Sequence, residues 1–534
     1  MPEISQKTQK LIQGYKNWHQ SLEKKEGVAV LHVDEVAASV AAFYEKIRGV
    51  IEWKEEHLLR KTAIERMLKR RFFLMEDGEN IAKPLVLELI RGGHFPNDSI
   101  EETRVQAVQR LIQKYISIMK NAPPPRKEKT KNRLFEWLLG IAACEIEEVL
   151  DPPRKERALI DYMTESMVEK IEVKQGIFVF KGISEEEKRK QIYIAVQKTL
   201  FNLDHLIISY HLLKFYYPQW QNLSREQLEE ITRNIYSIWK KIRKNLRKRL
   251  AEGFYRVCKR YGTPYLILGD ILSQDPMAAK ERIFKPESLE ALIKEAYGKR
   301  LVKLKAKLLR AAIYGVISIF ITKILVSLLI EIPFDKYITH QFSYLTLALN
   351  IFIPPLLMFL MVLTIRPPSK ENLQRVILEV MKIVYENEQK DIYPVKLPPK
   401  RGPIMESVLF AFYLFSFIVS FGIIVWGLQK LEFGILSIII FIIFLSLILF
   451  AGTRVRHRSK ELRVEEEKET MITSFFDFLT LPFVLVGRWL SSQWERFNVL
   501  MVIFNIFIEL PFKSFTEFLE QWRYFLKEKK EEIH

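Results

Sequence analysis

The 534-residue sequence has little cysteine and lacks the common short motifs of catalysis and cofactor binding. Its two cysteines, Cys144 and Cys258, are far apart and lack metal-ligand spacing, which argues against a disulfide framework and fits a reducing compartment. There is no GxxxxGK[ST] phosphate loop, no GxGxxG after a predicted strand, and no HExxH, GxSxG or CxxC motif. The sequence therefore gives no support for an enzyme, and we expect no cofactor and no metal ion.

The N-terminal stretch MPEISQKTQKLIQGYKNW also lacks the apolar core of a secretory signal, so we expect the first long region to stay in the cytoplasm. That region is basic: residues 1–310 hold 58 Lys and Arg against 42 Asp and Glu. Residues 311–534 hold 24 against 22 and contain nearly all the long apolar runs. The asymmetry predicts a cytoplasmic part followed by a part embedded in the plasma (inner) membrane.

Four apolar runs reach the length of about 20 residues that a bilayer requires. They are residues 311–330, 342–365, 407–428 and 434–452. Basic connections alternate with connections poor in Lys and Arg: the loop 366–403 holds eight, and the turn 429–433 holds one. By the positive-inside rule, this alternation predicts that both termini are cytoplasmic.

The C-terminal region, residues 472–534, contains two shorter apolar runs at 472–487 and 497–512. Each run carries polar residues, Asp477 in the first and Asn505 and Glu509 in the second. We therefore predict an interfacial or re-entrant helical segment, with two further spans as the alternative. Either arrangement leaves the C-terminus cytoplasmic.

The first 310 residues show helical spacing of apolar residues over long windows, which predicts an all-α cytoplasmic bundle. The stretch PPPRKEKTK predicts a boundary between subdomains 1–121 and 127–310. Residues 170–182 are typical of a strand or hairpin, and residues 366–406 of a helical insert between the second and third spans. Capping boxes at Ser99, Ser184 and Ser224 predict three helix starts.

The richest histidine cluster is DHLIISYH, in which Asp204, His205 and His211 are candidate metal ligands. A structural metal site needs three or four converging ligands, and this spacing is unspecific. Hydrogen bonding within a packed interior is the favoured interpretation.

The strongest charge signal is a basic amphipathic helix within residues 231–260, which hold eleven basic residues and one acidic residue. Its apolar positions include Ile235, Trp239 and Ile242. Such a helix is expected to lie against anionic lipid, or to be a solvated face packed beside an acidic helix. An acidic protein is a further candidate partner, and no motif supports nucleic acid. The seven central cations are Lys240, Lys241, Arg243, Lys244, Arg247, Lys248 and Arg249.

The first predicted span carries Lys323 near its middle, and the second carries Asn350 followed by Pro354 and Pro355. In an antiparallel hairpin these two polar residues have the same predicted depth. The prolines cannot donate to the carbonyls one turn earlier, so the second span offers an amide and free carbonyls to the lysine. We predict that Lys323 pairs with them and joins the two spans. An ion or substrate site at the broken helix is the rival interpretation, and snorkelling of Lys323 to the outer surface is the third.

Lys323, Ser327 and Glu331 lie on one predicted helix face. Glu331 is taken as the outer end of the first span, so no carboxylate is expected at the depth of Lys323.

Together these features predict an all-α integral membrane protein with a cytoplasmic helical bundle, four transmembrane helices and an interfacial C-terminal segment. The favoured function is a non-enzymatic membrane scaffold or tether that engages anionic lipid or a partner at the inner surface. A transporter or channel with a regulatory cytoplasmic domain is the alternative, because an ionisable residue within a span is often functional.

Overall fold

The computed structural model describes residues 3–23, 27, 29–33, 56–74, 80–174, 184–248, 250–338, 340, 343–363, 368–385, 391–396, 402–464, 471–496, 518, 521–522 and 525. The chain forms two compact units. We call one the helical unit; it comprises Gln6–Lys259, Gln389–Leu397 and Leu500–His534. We call the other the span unit; it comprises Met1–Ser5, Arg260–Glu388 and Pro398–Val499.

The helical unit is built from amphipathic helices, as predicted for an all-α chain. Its described helices are α1 (Gln6–Gln20), α2 (Glu56–Leu74), α3 (Ala82–Arg91), α4 (Glu102–Asn121), α5 (Glu128–Leu150), α6 (Arg154–Lys170), α7 (Glu185–Phe201), α8 (His205–Tyr216) and α9 (Arg225–Leu246). The next helix, α10 (Leu250–Gln274), begins in this unit and ends in the span unit. The predicted boundary at PPPRKEKTK falls inside the helical unit, between α4 and α5, which pack against each other.

The helix starts follow local capping chemistry. Ser224 and Gln227 form a reciprocal capping box at the start of α9, and the Ser184 hydroxyl accepts a bond from the Glu187 backbone at the start of α7. The predicted cap at Ser99 is wrong. Its hydroxyl donates to the carbonyl of Pro96 instead, and α4 begins at Glu102.

The core of the helical unit forms around α5, which packs against α2, α4 and α8. Apolar residues at helical spacing bury one face of each helix, as Val108, Ile112 and Tyr115 do on α4. Gly140 on α5 permits the close approach of α8: a Cβ atom there would lie 2.6 Å from a Leu206 methyl carbon. The core therefore depends on close packing between helices distant in sequence.

The predicted strand region contains β1 (Ile171–Lys174), which pairs in parallel with β2 (Tyr393–Lys396). The remainder of residues 170–182 beyond Lys174 lies outside the described residues. The partner strand belongs to the long connection between two apolar helices, so the pairing joins that connection to the helical unit.

Within the described residues, the span unit contains four helices that are long and apolar enough to cross a membrane. The first is a continuous helical run, Pro286–Tyr337, made of α12 (Pro286–Val326), a π-helical segment (Ser327–Glu331) and α13 (Ile332–Tyr337). The others are α14 (Tyr344–Leu363), α16 (Pro403–Lys430) and α17 (Ile435–Ser459). Many large apolar side chains on α12 and α16 are exposed on the protein surface, for example Ile321, Phe415 and Ile418. Such a surface is typical of helices that face lipid.

Two shorter helices of the span unit lie at one end of the apolar helices. They are α11 (Ala279–Phe284) and α15 (Lys370–Val384), the latter within the predicted insert 366–406. Asn372 anchors α15: its amide nitrogen donates to the Tyr297 hydroxyl and the Leu462 carbonyl, and its amide oxygen accepts from the Val464 backbone. The helix α15 is therefore fixed to α12 and to the segment after α17.

The last described helix of the span unit, α18 (Met471–Arg496), covers the whole of the predicted run 472–487. It packs lengthwise on α17, in the antiparallel direction, because Asp477 pairs with Arg456 while Gly487 contacts the Ser446 backbone. Phe483 is buried in an apolar cluster with residues of α16 and α17. Residues 497–512 lie outside the described residues.

Candidate functional site

The polar residues of the first two apolar helices converge on Glu331, a residue that the sequence interpretation placed at the end of the span. The Lys323 ammonium donates to Glu331 Oε1 at 2.7 Å. The Ser327 hydroxyl and the Asn350 amide both donate to Glu331 Oε2, at 2.6 and 3.0 Å. All four side chains are at most 1% exposed. We call this group the span cluster.

The expectation that no carboxylate lies at the depth of Lys323 is therefore wrong. Eight residues of a regular α-helix rise about 12 Å and rotate through about 800°, about 80° past two full turns. A π turn takes more residues per turn, so the segment Ser327–Glu331 removes part of this excess rotation. The long Lys323 and Glu331 side chains then bridge the remaining separation along one helix face.

The π segment has a cause in the sequence. Pro333 lacks an N–H group, so the carbonyl one α-helical turn earlier loses its usual donor. The backbone N–H of Ile332 bonds instead to the carbonyl of Ser327, five residues earlier. The proline thus permits the local widening that aligns Glu331 with Lys323.

The span cluster carries no net formal charge, since the Lys323 ammonium lies against the Glu331 carboxylate. Its ammonium also lies 5.2 Å from the centre of the Phe444 ring of α17, a distance typical of a cation–π contact. The cluster thus connects α12, α14 and α17. One acceptor is left over: the buried Asn350 Oδ1 has no hydrogen-bond partner among the described residues.

The two prolines of the second span lie inside α14 without ending it. Both Pro354 and Pro355 are buried. The predicted bond from Lys323 to carbonyls freed by these prolines is not among the contacts of the described residues; the lysine bonds to Glu331 instead. Asn350 reaches the same carboxylate from α14, so the two predicted residues share one partner.

The predicted basic helix is two helices. The helix α9 ends at Leu246, and α10 begins at Leu250. The apolar face of α9 is used in the core: Ile235, Trp239 and Ile242 are all buried. That face is therefore unavailable to insert into a bilayer.

The basic face of α9 remains at the surface. Four of its cations are exposed: Lys240, Lys241, Lys244 and Arg247. Aromatic neighbours support three of the side chains, since Lys240 lies over Tyr236, Lys241 over Tyr216 and Arg243 over Trp239. Lys248 pairs with Glu187 at 2.5 Å, so the acidic neighbour expected from the sequence takes up one cation. Arg249 lies outside the described residues.

Two of the candidate metal ligands, Asp204 and His211, have other partners. Asp204 caps α8, accepting bonds from the backbone of Leu206 and Ile207, and it pairs with Lys61. The His211 Nδ1 atom lies 2.6 Å from Gln197 Oε1, and burial lowers the pKa of His211 to about 3. Within the described ranges, no group of three or more His, Cys, Asp or Glu is placed to hold a metal ion.

The helical unit buries charges that the sequence analysis did not single out. On α5, Glu145 is fully buried; it accepts from Lys114, the Tyr115 hydroxyl and the Trp220 indole. Glu148 pairs with Arg157 and Lys214. These partners come from four separate elements, so no local sequence pattern could have identified the network.

Two adjacent carboxyls on α5 have opposite pKa shifts. Burial raises the pKa of Glu147 to about 7, more than the nearby Arg60 lowers it. Burial also acts to raise the pKa of Glu148, but the cations of Lys214 and Arg157 outweigh it and lower that pKa to about 2.

No protein-family model matches the sequence, and comparison with curated proteins and with solved structures finds no similar chain. The interpretation of function therefore depends on the geometry of the span cluster and of the basic face of α9.

Proposed function

We propose that the protein is a non-enzymatic multi-pass membrane scaffold whose helical unit binds anionic lipid at the cytoplasmic surface of the plasma (inner) membrane. One observation carries this proposal. The helix α9 uses its apolar face in the core and holds Lys240, Lys241, Lys244 and Arg247 exposed on a rigid surface. A fixed basic face on a chain with four apolar helices suits attraction to anionic headgroups, at about 1 kcal/mol for each Lys or Arg near the surface.

In this proposal both termini are cytoplasmic, because connections rich in Lys and Arg alternate with connections poor in them. The proposal also places α18 within the membrane rather than on its surface. A cytoplasmic C-terminus then requires that the apolar run 497–512 cross back, which is the arrangement with two further spans. The support is the lengthwise packing of α18 between α16 and α17, with the Phe421 and Phe483 ring centres 4.5 Å apart. An interfacial helix would instead need one polar face directed to water.

The span cluster supports a scaffold through its charge balance. Within a span, an unpaired lysine costs about 2.5–3.5 kcal/mol on insertion scales. Glu331 neutralises Lys323 and also accepts from Ser327 and Asn350. We interpret the cluster as a structural connection between α12, α14 and α17.

A flotation experiment tests the lipid proposal. Full-length protein in nanodiscs of neutral phosphatidylcholine should float with added vesicles that contain phosphatidylserine, and not with vesicles of phosphatidylcholine alone. Binding should weaken in high salt, because screening reduces attraction between exposed charges.

The variant K240Q/K241Q/K244Q/R247Q should lose most of this binding. The matched control is R126Q/K127Q/K129Q/K131Q, which removes the same charge from exposed positions before and at the start of α5. Equal binding by the α9 variant and the unmodified protein would contradict the proposal. Loss of binding to an acidic protein, with vesicle binding unchanged, would identify a protein partner instead.

A transporter or channel remains the second candidate, because π-helical segments and buried ionisable residues both recur at transport sites. The variant K323L separates the candidates. If the unmodified protein carries an ion or solute flux in proteoliposomes and a stably folded K323L protein has lost it, transport is favoured. If the unmodified protein carries no flux and K323L is destabilised, the scaffold is favoured.

A further inference from the structure

A basic pocket lies within the span unit, away from α9. Its volume is about 480 Å³, and α10, α15 and the segment after α17 line it. The lining includes three cations, Arg260, Arg375 and Lys382, together with Tyr261 and one carboxylate, Glu379. Glu379 lies 3.4 Å from the Lys382 ammonium. Among the described residues that line the pocket, cations therefore outnumber carboxylates.

The elements around the pocket are held by buried contacts. Arg375 and Lys382 are seven residues apart on α15, about two turns, so they lie on one face of the helix. The first turn of the same helix is anchored by Asn372, which is 3% exposed and binds the backbone of Leu462 and Val464. Because Val464 itself lines the pocket, this anchor fixes two of the pocket walls relative to each other.

The chemistry of the lining favours a phosphate group. An Arg guanidinium presents its donors as a planar fork that matches phosphate oxygens, and Lys adds a point charge. The Tyr261 hydroxyl is a further possible donor at the same pocket. Leu378 and Val464 provide apolar surface beside the charges, where the uncharged part of a larger ligand would lie. The volume falls within the usual range for pockets that hold small ligands.

The place of the pocket in the chain indicates where such a ligand would come from. The helix α15 lies between the second and third apolar helices, and Val464 follows the end of α17 by five residues. If those helices cross the membrane as proposed above, the pocket lies close to the cytoplasmic surface. Basic pockets in this position bind the headgroups of anionic lipids.

We infer that the pocket formed by Arg260, Tyr261, Arg375 and Lys382 binds one phosphate-bearing headgroup of an anionic phospholipid. This inference uses the proposed orientation for the source of the phosphate, but it concerns a separate surface from α9. The α9 face is open and would bind many headgroups weakly, whereas the pocket would bind one headgroup saturably.

Calorimetric titration of the full-length protein in neutral detergent tests the inference. The probes are dihexanoyl phosphatidic acid, inorganic phosphate and dihexanoyl phosphatidylcholine. We expect saturable binding of one phosphatidic acid per chain and no saturable binding of phosphatidylcholine. Tighter binding of phosphatidic acid than of inorganic phosphate supports a lipid source, and equal binding supports a soluble phosphate compound in the same pocket. Absence of saturable binding of both phosphate probes would overturn the inference.

Three sets of variants locate the binding. R260Q/R375Q/K382Q should weaken it roughly fivefold for each side chain neutralised. The control K303Q/K305Q/K307Q removes the same charge from exposed positions on α12 and should bind as the unmodified protein does. The α9 variant K240Q/K241Q/K244Q/R247Q should also bind normally, which separates failure of this inference from failure of the proposed function.

A variant that binds phosphatidic acid more tightly than the unmodified protein provides a test in which misfolding cannot explain the expected result. E379Q removes the one carboxylate among the lining residues and should tighten phosphatidic acid binding several-fold. Unchanged or weaker binding by a stably folded E379Q protein would show that the ligand does not contact this face of α15, and would overturn the inference.

Discussion

The two units of the protein bury charge in different ways, although each unit holds a fully buried carboxylate. In the span unit, Glu331 accepts from Lys323 and Ser327 on the same helical run and from Asn350 on the neighbouring helix. In the helical unit, the α5 carboxylates have partners on several helices, such as Lys114 on α4 and Lys214 on α8. An apolar helix thus neutralises its charge mainly within itself, whereas the bundle uses charge to join separate helices.

The comparison predicts a large loss of stability when the bundle network is broken. E148Q keeps the shape of the side chain but leaves Lys214 and Arg157 without their carboxylate. Removing one member of a buried ion pair costs about 3–5 kcal/mol. Denaturation of the full-length protein, with hydrogen exchange followed on α5 and α8, measures the loss.

The same variant has a defined pH dependence. The pKa of Glu148 is lowered to about 2 from its ordinary value near 4.5, so its contribution to stability is present above pH 4.5 and is lost as the pH falls towards 2. The difference between the unmodified protein and E148Q should shrink over that window. A difference that stays constant from pH 5 to pH 2 would mean that the carboxylate charge does not join these helices.

E147Q should change stability in the opposite direction to E148Q, because it removes a carboxyl that is destabilising when ionised. Burial raises the pKa of Glu147 to about 7, so the unfolded chain ionises at lower pH than the folded one and stability falls as the pH rises from about 4.5 to 7. Glutamine does not ionise, so E147Q should be more stable than the unmodified protein at pH 7, by at most about 3 kcal/mol. The gain should vanish near pH 4.5. Equal stability of the two proteins at pH 7 would contradict the raised pKa.

N350L should have the smallest effect of the three. It removes one donor to Glu331 but also removes the Asn350 oxygen that has no partner among the described residues. We expect a net loss of about 1 kcal/mol in the free energy of unfolding, since a hydrogen bond contributes about that much. Thermal unfolding of the detergent-solubilised protein supplies the measurement, with L345A as the control at an exposed position in the first turn of the second apolar helix. A loss as large as that of E148Q would mean that α14, and not α12, supplies the main partner of the charge.

The same contrast explains how much the sequence could predict. The all-α class and the four apolar helices follow from composition and from periodicity, and both are present in the structure. Lys323 and Asn350 could be found because an apolar run makes any polar residue conspicuous. Glu331 was predicted on the same helix face as Lys323 but at the outer end of the span. Its carboxylate reaches the lysine through the π turn before Pro333 and the two long side chains, which regular helical geometry does not anticipate.

The features that the sequence did not predict depend on contacts between residues that are distant in the chain. The apolar face of α9 could be predicted, but its burial in the core follows from the packing of several helices. The network around Glu145 and Glu148 joins residues up to 106 positions apart, so one sequence alone does not identify it. The pairing of β1 with β2 crosses more than two hundred residues and was likewise not predictable.

The most direct test of this account is a double-mutant cycle at Lys323 and Glu331, measured as unfolding free energy in neutral detergent or bicelles. K323L and E331L alone should each cost several kcal/mol, because each leaves a buried charge uncompensated. The double variant should recover most of that loss, and the control K336L, an exposed lysine one turn beyond Glu331, should change little. Losses that simply add in the double variant would contradict a mutually neutralising pair, and with it the structural role of the span cluster.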